Sequence, residues 1–365
     1  MIYKKAVLPE YPYKADLWDK LSQESRPIVV YGMGNGADKL IKRFEKYEIE
    51  IADFFASDGF VRGHSFHGKR VKSFSEIKAD YSDFVIVLSF ASNRDEVIAL
   101  FEEIDKDYEL YIPDMPVAGE EYFDRGFYND NYSAILSAYQ ALADDNSKNA
   151  FSNIINYKLT GKLSYLESAY SEKSELYEFL DGNTFECIID AGAYNGDTVR
   201  DAKKYFPNLK KAYAIEPDPK TFKKLKKYSE AETEITVECI NAAVYNSNGV
   251  SSFFGSANRN SSISSTSSFE HKDNIVNTVK IDGITTEKID YIKYDVEGAE
   301  LEALQGSDEV ISAYKPTLLV SAYHRSIDIF SLINYIHEKY KFYNIYLQRL
   351  RAVPAWEIDI IAKSK

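Results

Sequence analysis

The segment CIIDAGAYNGDT, residues 187–198, decides the fold because it joins a short apolar strand to a glycine-bearing turn. Its first three residues are apolar, as in a strand buried inside a parallel sheet, and the strand ends at Asp190. Gly192, Ala193 and Gly196 form a small-residue turn that brings the backbone close to a ligand. The two polar residues that close the segment favour a helix start, whose free N–H groups point toward that ligand.

A second carboxylate follows the next predicted strand, residues 211–215. Glu216 lies 20 residues beyond Gly196, the spacing at which such folds place an acid on ribose hydroxyls. Tyr194 and Asn195 occupy the part of the turn where a dinucleotide fingerprint has glycine. A cofactor without a diphosphate therefore fits better, and the two sites predict S-adenosylmethionine. An ordinary strand-to-helix turn is the structural alternative.

The stretch IDYIKYDVEGAELEALQG, residues 289–306, repeats the pattern of buried strand, acid, glycine turn and amphipathic helix. Together with IIDAGAYNGDT, IEPDP, VKIDGI and KPTLLVSAYHR, it resembles the FkbM family of S-adenosylmethionine-dependent methyltransferases. The resemblance covers roughly the last half of the chain, and KYDVEGAE at 293–300 is its most specific part. It implies O-methylation, often of sugars or other secondary metabolites.

The resemblance also implies an α/β fold of the class I methyltransferase type. Such a fold has a seven-stranded, doubly wound sheet that closes with a C-terminal antiparallel hairpin. The last two predicted strands, residues 342–347 and 357–362, match that hairpin. In this fold the turn after the third strand flanks the adenine, so Asn241 and Ala242 are candidate adenine contacts. A purely turn-forming role for Asn241 is the alternative.

Two residues are candidates for the chemistry of methyl transfer, which must align the reacting atoms and remove a proton from a hydroxyl. Asp295 ends the fourth strand of the predicted sheet, and His324 ends the fifth. Because imidazole titrates near neutral pH, His324 is interpreted as the general base and Asp295 as an orienting residue. The two roles are interchangeable at this stage, and His324 as a strand-end cap is the structural alternative.

Two groups of side chains have the composition of metal sites. Asp295, Glu297 and Glu300 could bind a divalent cation through oxygen, although the two glutamates also suit the first turn of a helix. His64 and His67 have no third ligand at close spacing, so they are interpreted as loop residues. No metal ligand is assigned.

A second glycine turn, GMGNGA at residues 32–37, lies near the N-terminus. Gly32, Gly34 and Ala37 match the GxGxxA pattern, and Asp58 lies 21 residues beyond Ala37. The surrounding β/α alternation predicts a Rossmann-like domain. It resembles N-terminal domains of some sugar-modifying enzymes, which implies a nucleotide or nucleotide-sugar ligand. A fold that keeps the turn only for packing or dimerisation is the alternative.

Three regions follow from these patterns. We predict a Rossmann-like domain over residues 1–118, a helical connector or lid over 119–180 and the methyltransferase domain over 181–365. The connector carries aromatic residues at helical spacing, so a spacer that fills an interdomain core is the alternative to a lid. The Ser- and Asn-rich segment 246–274 is predicted to be a mobile loop at the mouth of the pocket.

Composition limits the partners of the chain. Its 365 residues carry a net charge of −13, which argues against binding to nucleic acid. Only Cys187 and Cys239 are present, and no segment has the length and hydropathy of a membrane span. We therefore expect a cytoplasmic protein that acts on a small-molecule or glycan acceptor, with homo-oligomer formation left open.

Two other functions remain as alternatives. An NAD-dependent oxidoreductase would use the turn at Gly32, but the sequence offers no recognisable Tyr and Lys pair for hydride transfer. A non-catalytic nucleotide-sugar-binding module would keep the methyltransferase fold without its activity. The acids Asp190, Glu216 and Asp295 favour retained cofactor binding.

Overall fold

The N-terminal β-sheet has five parallel strands in the order β5-β2-β1-β6-β7. A computed structural model describes residues 6–61, 63–168, 170–254, 262–264 and 274–365. The sheet strands are β1 Ile28–Tyr31, β2 Asp53–Ala56, β5 Lys72–Ser73, β6 Val85–Leu88 and β7 Glu109–Tyr111. Short strands β3 Ser65–Phe66 and β4 Lys69–Arg70 form a hairpin beside them. The helices are α1 Leu17–Ser22, α2 Asn35–Lys46, α3 Phe74–Asp80 and α4 Asp95–Asp107.

Five helices connect this sheet to the second one. They are α5 Arg125–Asp130, α6 Tyr132–Ala141, α7 Asp145–Thr160, α8 Leu163–Glu167 and α9 Lys173–Leu180. Asp124 and Asp144 accept backbone N–H bonds at the starts of α5 and α7, and Gly161 ends α7 in the left-handed conformation.

The C-terminal β-sheet has seven strands in the order β10-β9-β8-β15-β16-β18-β17. These strands are β8 Cys187–Ala191, β9 Lys211–Ile215, β10 Thr236–Ile240, β15 Tyr291–Tyr294, β16 Thr317–Ser321, β17 Tyr343–Arg349 and β18 Ile358–Ser364. The first five are parallel, and β18 is antiparallel to both of its neighbours. The predicted fold class, including the closing hairpin, is confirmed.

Helices cover this sheet on both faces, and a small sheet is inserted before β15. The helices are α10 Asp197–Tyr205, α11 Pro219–Ala231, α12 Glu300–Gln305, α13 Asp308–Tyr314 and α14 Asp328–Lys339. The inserted strands are β11 Ala243–Val244, β12 Gly249–Phe254, β13 Ser262–Ser264 and β14 Asn274–Val279. The reversal of strand order between β8 and β15 creates a crevice at the carboxyl ends of these two strands.

A continuous apolar core joins the N-terminal sheet, the connecting helices and one face of the C-terminal sheet. Tyr128, Phe151 and Tyr157 of the connector are fully buried in it. Helix α6 packs on α14, and α7 packs on β17. The connector helices therefore pack against the C-terminal part of the chain through α14 and β17, and a role of the connector as a lid stays a prediction.

One sequence-based prediction differs from the structure. The predicted loop at 246–274 contains strands β12 and β13, and β14 begins at its last residue; β12 pairs antiparallel with both of the other strands. The serine-rich centre of that prediction, at 255–261 and 265–273, lies outside the described residues.

Candidate active site

Asp190 lies at the crevice, one residue before the end of β8, and its side chain is fully buried. Within the described residues, neither carboxylate oxygen has a hydrogen-bond partner. Burial raises the pKa of Asp190 to about 7, although Lys293 opposes this increase. A buried carboxylate without a hydrogen-bond partner could bind a cationic group of a ligand, such as the ammonium group of an amino acid.

The two glycines of the adjacent turn are required by packing. Gly192 has φ +88°, and a Cβ there would lie 1.8 Å from the carbonyl oxygen of Asp295. Gly196 has φ +83°, and its Cβ would lie 2.5 Å from the ring of Tyr228. Ala193 is buried, and its N–H donates to the Ile215 carbonyl. The predicted turn is therefore present, but its glycines leave room for protein atoms rather than for a ligand.

Glu216 follows β9 and reaches back to the same turn. Its Oε2 accepts the N–H of Tyr194 at 2.9 Å, and its Oε1 accepts the N–H of Asp218 at 2.8 Å. Burial raises the pKa of Glu216 to about 7. Since each carboxylate oxygen can accept more than one bond, the group can still receive two ribose hydroxyls.

Asn241 holds the Glu216 turn in place. Its Nδ2 donates to the carbonyls of Glu216, at 2.8 Å, and Pro217, at 3.2 Å. Ala242 beside it is buried. The turn-forming role of Asn241 is therefore present, and an adenine contact would have to use Oδ1 or the backbone.

His324 lies three residues beyond β16, and no part of its side chain is exposed. Its Nδ1 is 2.9 Å from Oε1 of Glu300, while Nε2 is 3.5 Å from both Asp295 Oδ1 and Glu297 Oε2. Burial opposes the charge, but Glu300, Asp295 and Glu297 together raise the pKa of His324 to about 10. The ring is therefore an imidazolium at neutral pH.

The two carboxylates facing Nε2 have different environments. Despite burial, Lys293 and His324 hold the pKa of Asp295 below its usual value, and Lys293 Nζ is 2.8 Å from Asp295 Oδ2. Burial, aided by nearby acids, raises the pKa of Glu297 to about 8. Glu297 also has a left-handed backbone, φ +56°, which is a strained conformation common at functional sites. The His324 imidazolium therefore lies between two carboxyl groups whose pKa values are shifted in opposite directions, down for Asp295 and up for Glu297.

Sequence reasoning missed Lys293 and the pairing of Glu300 with His324. The lysine lies inside the apolar strand β15, and burial of a charged residue in such a strand signals an ion pair. Glu300 and His324 are 24 residues apart, so only the folded sheet brings them together. In the described part of the chain, no group of three or more His, Cys, Asp or Glu residues could hold a metal ion.

Packing explains only part of the N-terminal glycine turn. A Cβ at Gly32 would lie 2.6 Å from the Phe90 ring, whereas Gly34, φ +104°, has open space around it. Ala37 is buried. Asp58 accepts bonds from the N–H and Oγ of Ser75 at 3.2 and 2.6 Å. A nucleotide or nucleotide-sugar at this turn stays a prediction.

The predicted histidine loop lies close to the same turn. His64 Nε2 is 2.7 Å from the sulfur of Met33, and His67 Nε2 is 2.7 Å from Asp38 Oδ1. Both side chains are exposed. They lie on the surface and contact different partners, as expected for loop histidines.

Replacing Asp190 with asparagine should stabilise the protein and weaken its cofactor binding. The folded pKa of Asp190 lies above its unfolded value, so the cost of burying this acid grows as pH rises from about 4 to 7. We expect D190N to raise the free energy of unfolding at pH 8 by about 2 to 4 kcal/mol. It should lower the affinity for S-adenosylhomocysteine at least tenfold, measured by calorimetry.

The control for D190N is D359N. Asp359 is also buried, and burial raises its pKa to about 7, but it lies on β18. D359N should stabilise the protein similarly and keep wild-type affinity. Equal loss of affinity in the two variants would remove Asp190 from the cofactor site.

The chain was compared with known proteins. Residues 190–346 match the family model described as the methyltransferase FkbM domain. A methyltransferase FkbM from Methylobacillus flagellatus KT has a TM-score of 0.67 at 20% identity, over 93% of this chain and 90% of that one. An rRNA methylase from Streptococcus thermophilus has a TM-score of 0.35 at 12% identity, over 52% and 94%. A search of curated proteins found no matching sequence.

Within the described residues, no helix is long and apolar enough to cross a membrane.

The Methylobacillus flagellatus structure shares the fold over nearly the whole chain, including the N-terminal sheet. The matched family domain spans the crevice with Asp190, Glu216, Asp295 and His324. Residues 190–346 are therefore similar to the methyltransferase FkbM domain, and this similarity supports the activity of an S-adenosylmethionine-dependent methyltransferase.

Proposed function

We propose that this enzyme methylates an uncharged hydroxyl group of a sugar, glycan or similar small molecule. The observation that carries the proposal is the convergence of Asp295 and Glu297 on Nε2 of His324, at the carboxyl end of the strand beside β8. The two cations of this cluster, Lys293 and His324, are already paired with Asp295 and Glu300, so the surface favours a neutral acceptor over a phosphate or carboxylate group. Carboxylates are also good hydrogen-bond acceptors for sugar hydroxyls.

The cofactor residues are Asp190 and Glu216. Asp190 would face the ammonium group of the methionine part, and Glu216 would accept the ribose hydroxyls. Bound S-adenosylmethionine supplies a methyl group on a positively charged sulfur. The protein then has to orient the acceptor oxygen, exclude water and take the hydroxyl proton.

Sequence analysis suggested His324 as the base and Asp295 as the orienting residue. The charge of His324 favours the reverse assignment. An imidazolium has no free lone pair, so it cannot accept a proton from the acceptor at neutral pH. Asp295 is ionised there, because Lys293 and His324 hold its pKa low despite burial. We therefore assign proton acceptance to Asp295 and orientation of the acceptor oxygen to the Nε2–H of His324.

The pH dependence of turnover distinguishes the two assignments. If His324 were the base, its pKa of about 10 would make kcat rise about tenfold per pH unit from pH 6 to 9. With Asp295 as the base, no such continuous rise is expected, since its pKa lies below this range. The measurement is methyl transfer to a panel of monosaccharides and nucleotide-sugars, followed by mass spectrometry.

Asp295→Asn should reduce kcat at least 100-fold, because removal of a general base typically costs 10²- to 10⁴-fold. Its affinity for S-adenosylhomocysteine should stay within threefold of wild type. D359N is again the matched control, and its kcat should stay within threefold. Wild-type turnover in D295N would refute the assignment of Asp295.

A further inference from the structure

Glu300 and His324 form an ion pair from which solvent is excluded. Neither side chain has any exposed surface, and Glu300 Oε1 lies 2.9 Å from His324 Nδ1. The contact does not meet the geometry of a hydrogen bond, so we describe it as an ion pair. Removing one partner of such a buried pair would leave an uncompensated charge in the interior.

The turn after β15 fixes Glu300. The same Oε1 accepts the N–H of Val296 at 3.0 Å and the N–H of Gly298 at 3.3 Å. These bonds span Glu297, whose backbone is left-handed. One carboxylate therefore sets both the path of the turn that carries Glu297 and the charge environment of His324.

The backbone of His324 is held by hydrogen bonds from another segment of the chain. Its carbonyl accepts the N–H groups of Val117 and Ala118, at 3.0 and 2.8 Å, from the segment that enters the connector. The ring of Tyr323 lies 4.1 Å from the imidazole, centre to centre. With backbone and Nδ1 both fixed, only Nε2 faces Asp295 and Glu297.

We propose that Glu300 is a positioning residue that keeps His324 charged and its Nε2–H directed at the acceptor side of the pocket. The proposal rests on the proposed function for its catalytic meaning. In sequence analysis, Glu300 could also be explained as an acidic residue that stabilises the first turn of a helix. The proposal assigns it a further role. The imidazolium would donate to the acceptor oxygen, while the proton of that oxygen passes to Asp295.

Several acidic or phenolic groups face the imidazole from the elements packed around it. Asp295 and Glu297 lie in the turn after β15, Glu300 begins α12, and Asp328 begins α14. Tyr323 is the residue directly before His324. Glu300 is the nearest of these to a ring nitrogen. Burial favours the neutral ring, and after burial Glu300 has the strongest influence in raising the His324 pKa.

The test is ¹⁵N NMR titration of the histidines in full-length protein, with and without S-adenosylhomocysteine. The chain has 5 histidines, and H324Q assigns the signal of interest. In the wild type we expect the imidazolium signature of His324 throughout pH 6 to 8.5. In E300Q we expect the midpoint to fall by at least two pH units, because glutamine keeps an oxygen for the Val296 and Gly298 N–H groups but lacks the charge.

The matched control is E302Q, which removes a charge from the same helix without contacting His324. Its titration should match the wild type. A neutral His324 in wild type at pH 7, or an unchanged midpoint in E300Q, would overturn the proposal. Failure to bind S-adenosylhomocysteine with a charged His324 would instead count against the proposed function alone.

Discussion

Replacing Gly192 with alanine is expected to destabilise the protein by at least about 3 kcal/mol and to abolish cofactor binding. Two costs combine at this position. A left-handed backbone at φ +88° costs a residue with a Cβ about 1 to 3 kcal/mol. The added carbon would also lie 1.8 Å from the carbonyl oxygen of Asp295, so β8 and β15 would have to separate.

Urea unfolding and a thermal melt measure this effect. The control is Gly68→Ala, because Gly68 has a similar φ of +77° but no atom within 4 Å of the added carbon. G68A should cost no more than about 1 to 2 kcal/mol. If the two variants were equally stable, the close approach of the two strands at Gly192 would be wrong.

Glu216→Gln is expected to lower the affinity for S-adenosylhomocysteine about 100-fold. Two charge-assisted bonds to ribose hydroxyls contribute about 1.5 to 3 kcal/mol each. Glutamine has one acceptor oxygen for the Tyr194 and Asp218 N–H groups, and its amide NH₂ cannot accept a hydroxyl. Isothermal titration calorimetry at pH 8 measures the change.

Asp218→Asn serves as the control for E216Q. Asp218 Oδ1 accepts the N–H groups of Lys220 and Thr221 at the start of α11, so its role is helix capping. D218N should bind S-adenosylhomocysteine within threefold of wild type. Wild-type affinity should itself fall below pH 7, because only ionised Glu216 and Asp190 hold the ligand. If E216Q kept full affinity, Glu216 would not contact the ribose.

Local sequence was sufficient to predict the strands that end beside Asp190 and Glu216. Each is a short apolar run followed at once by an acid and a turn, and all of that information lies within about ten neighbouring residues. The closing hairpin was predictable because its two segments, 342–347 and 357–362, match the hairpin of the fold that the family resemblance implies. The inserted strands β12 and β14 were not, because serine and asparagine dominate that segment and only pairing between distant residues makes it a sheet.

The charges in the site depend on contacts that sequence does not reveal. His324 was assigned as a base from the ordinary pKa of imidazole, but Glu300, Asp295 and Glu297 outweigh the effect of burial and make it a cation. Lys293 lowers the pKa of Asp295 from within an apolar strand. Both effects require distances between side chains that only the folded sheet fixes.

The central claim is that the C-terminal crevice binds S-adenosylmethionine. The most direct test is calorimetric titration of the full-length protein with S-adenosylhomocysteine, NAD and a UDP-sugar in parallel. We expect binding of S-adenosylhomocysteine with one site per chain, lost in E216Q and kept in D218N. Binding of NAD or the UDP-sugar with no response to S-adenosylhomocysteine would contradict the account and transfer the function to the turn at Gly32.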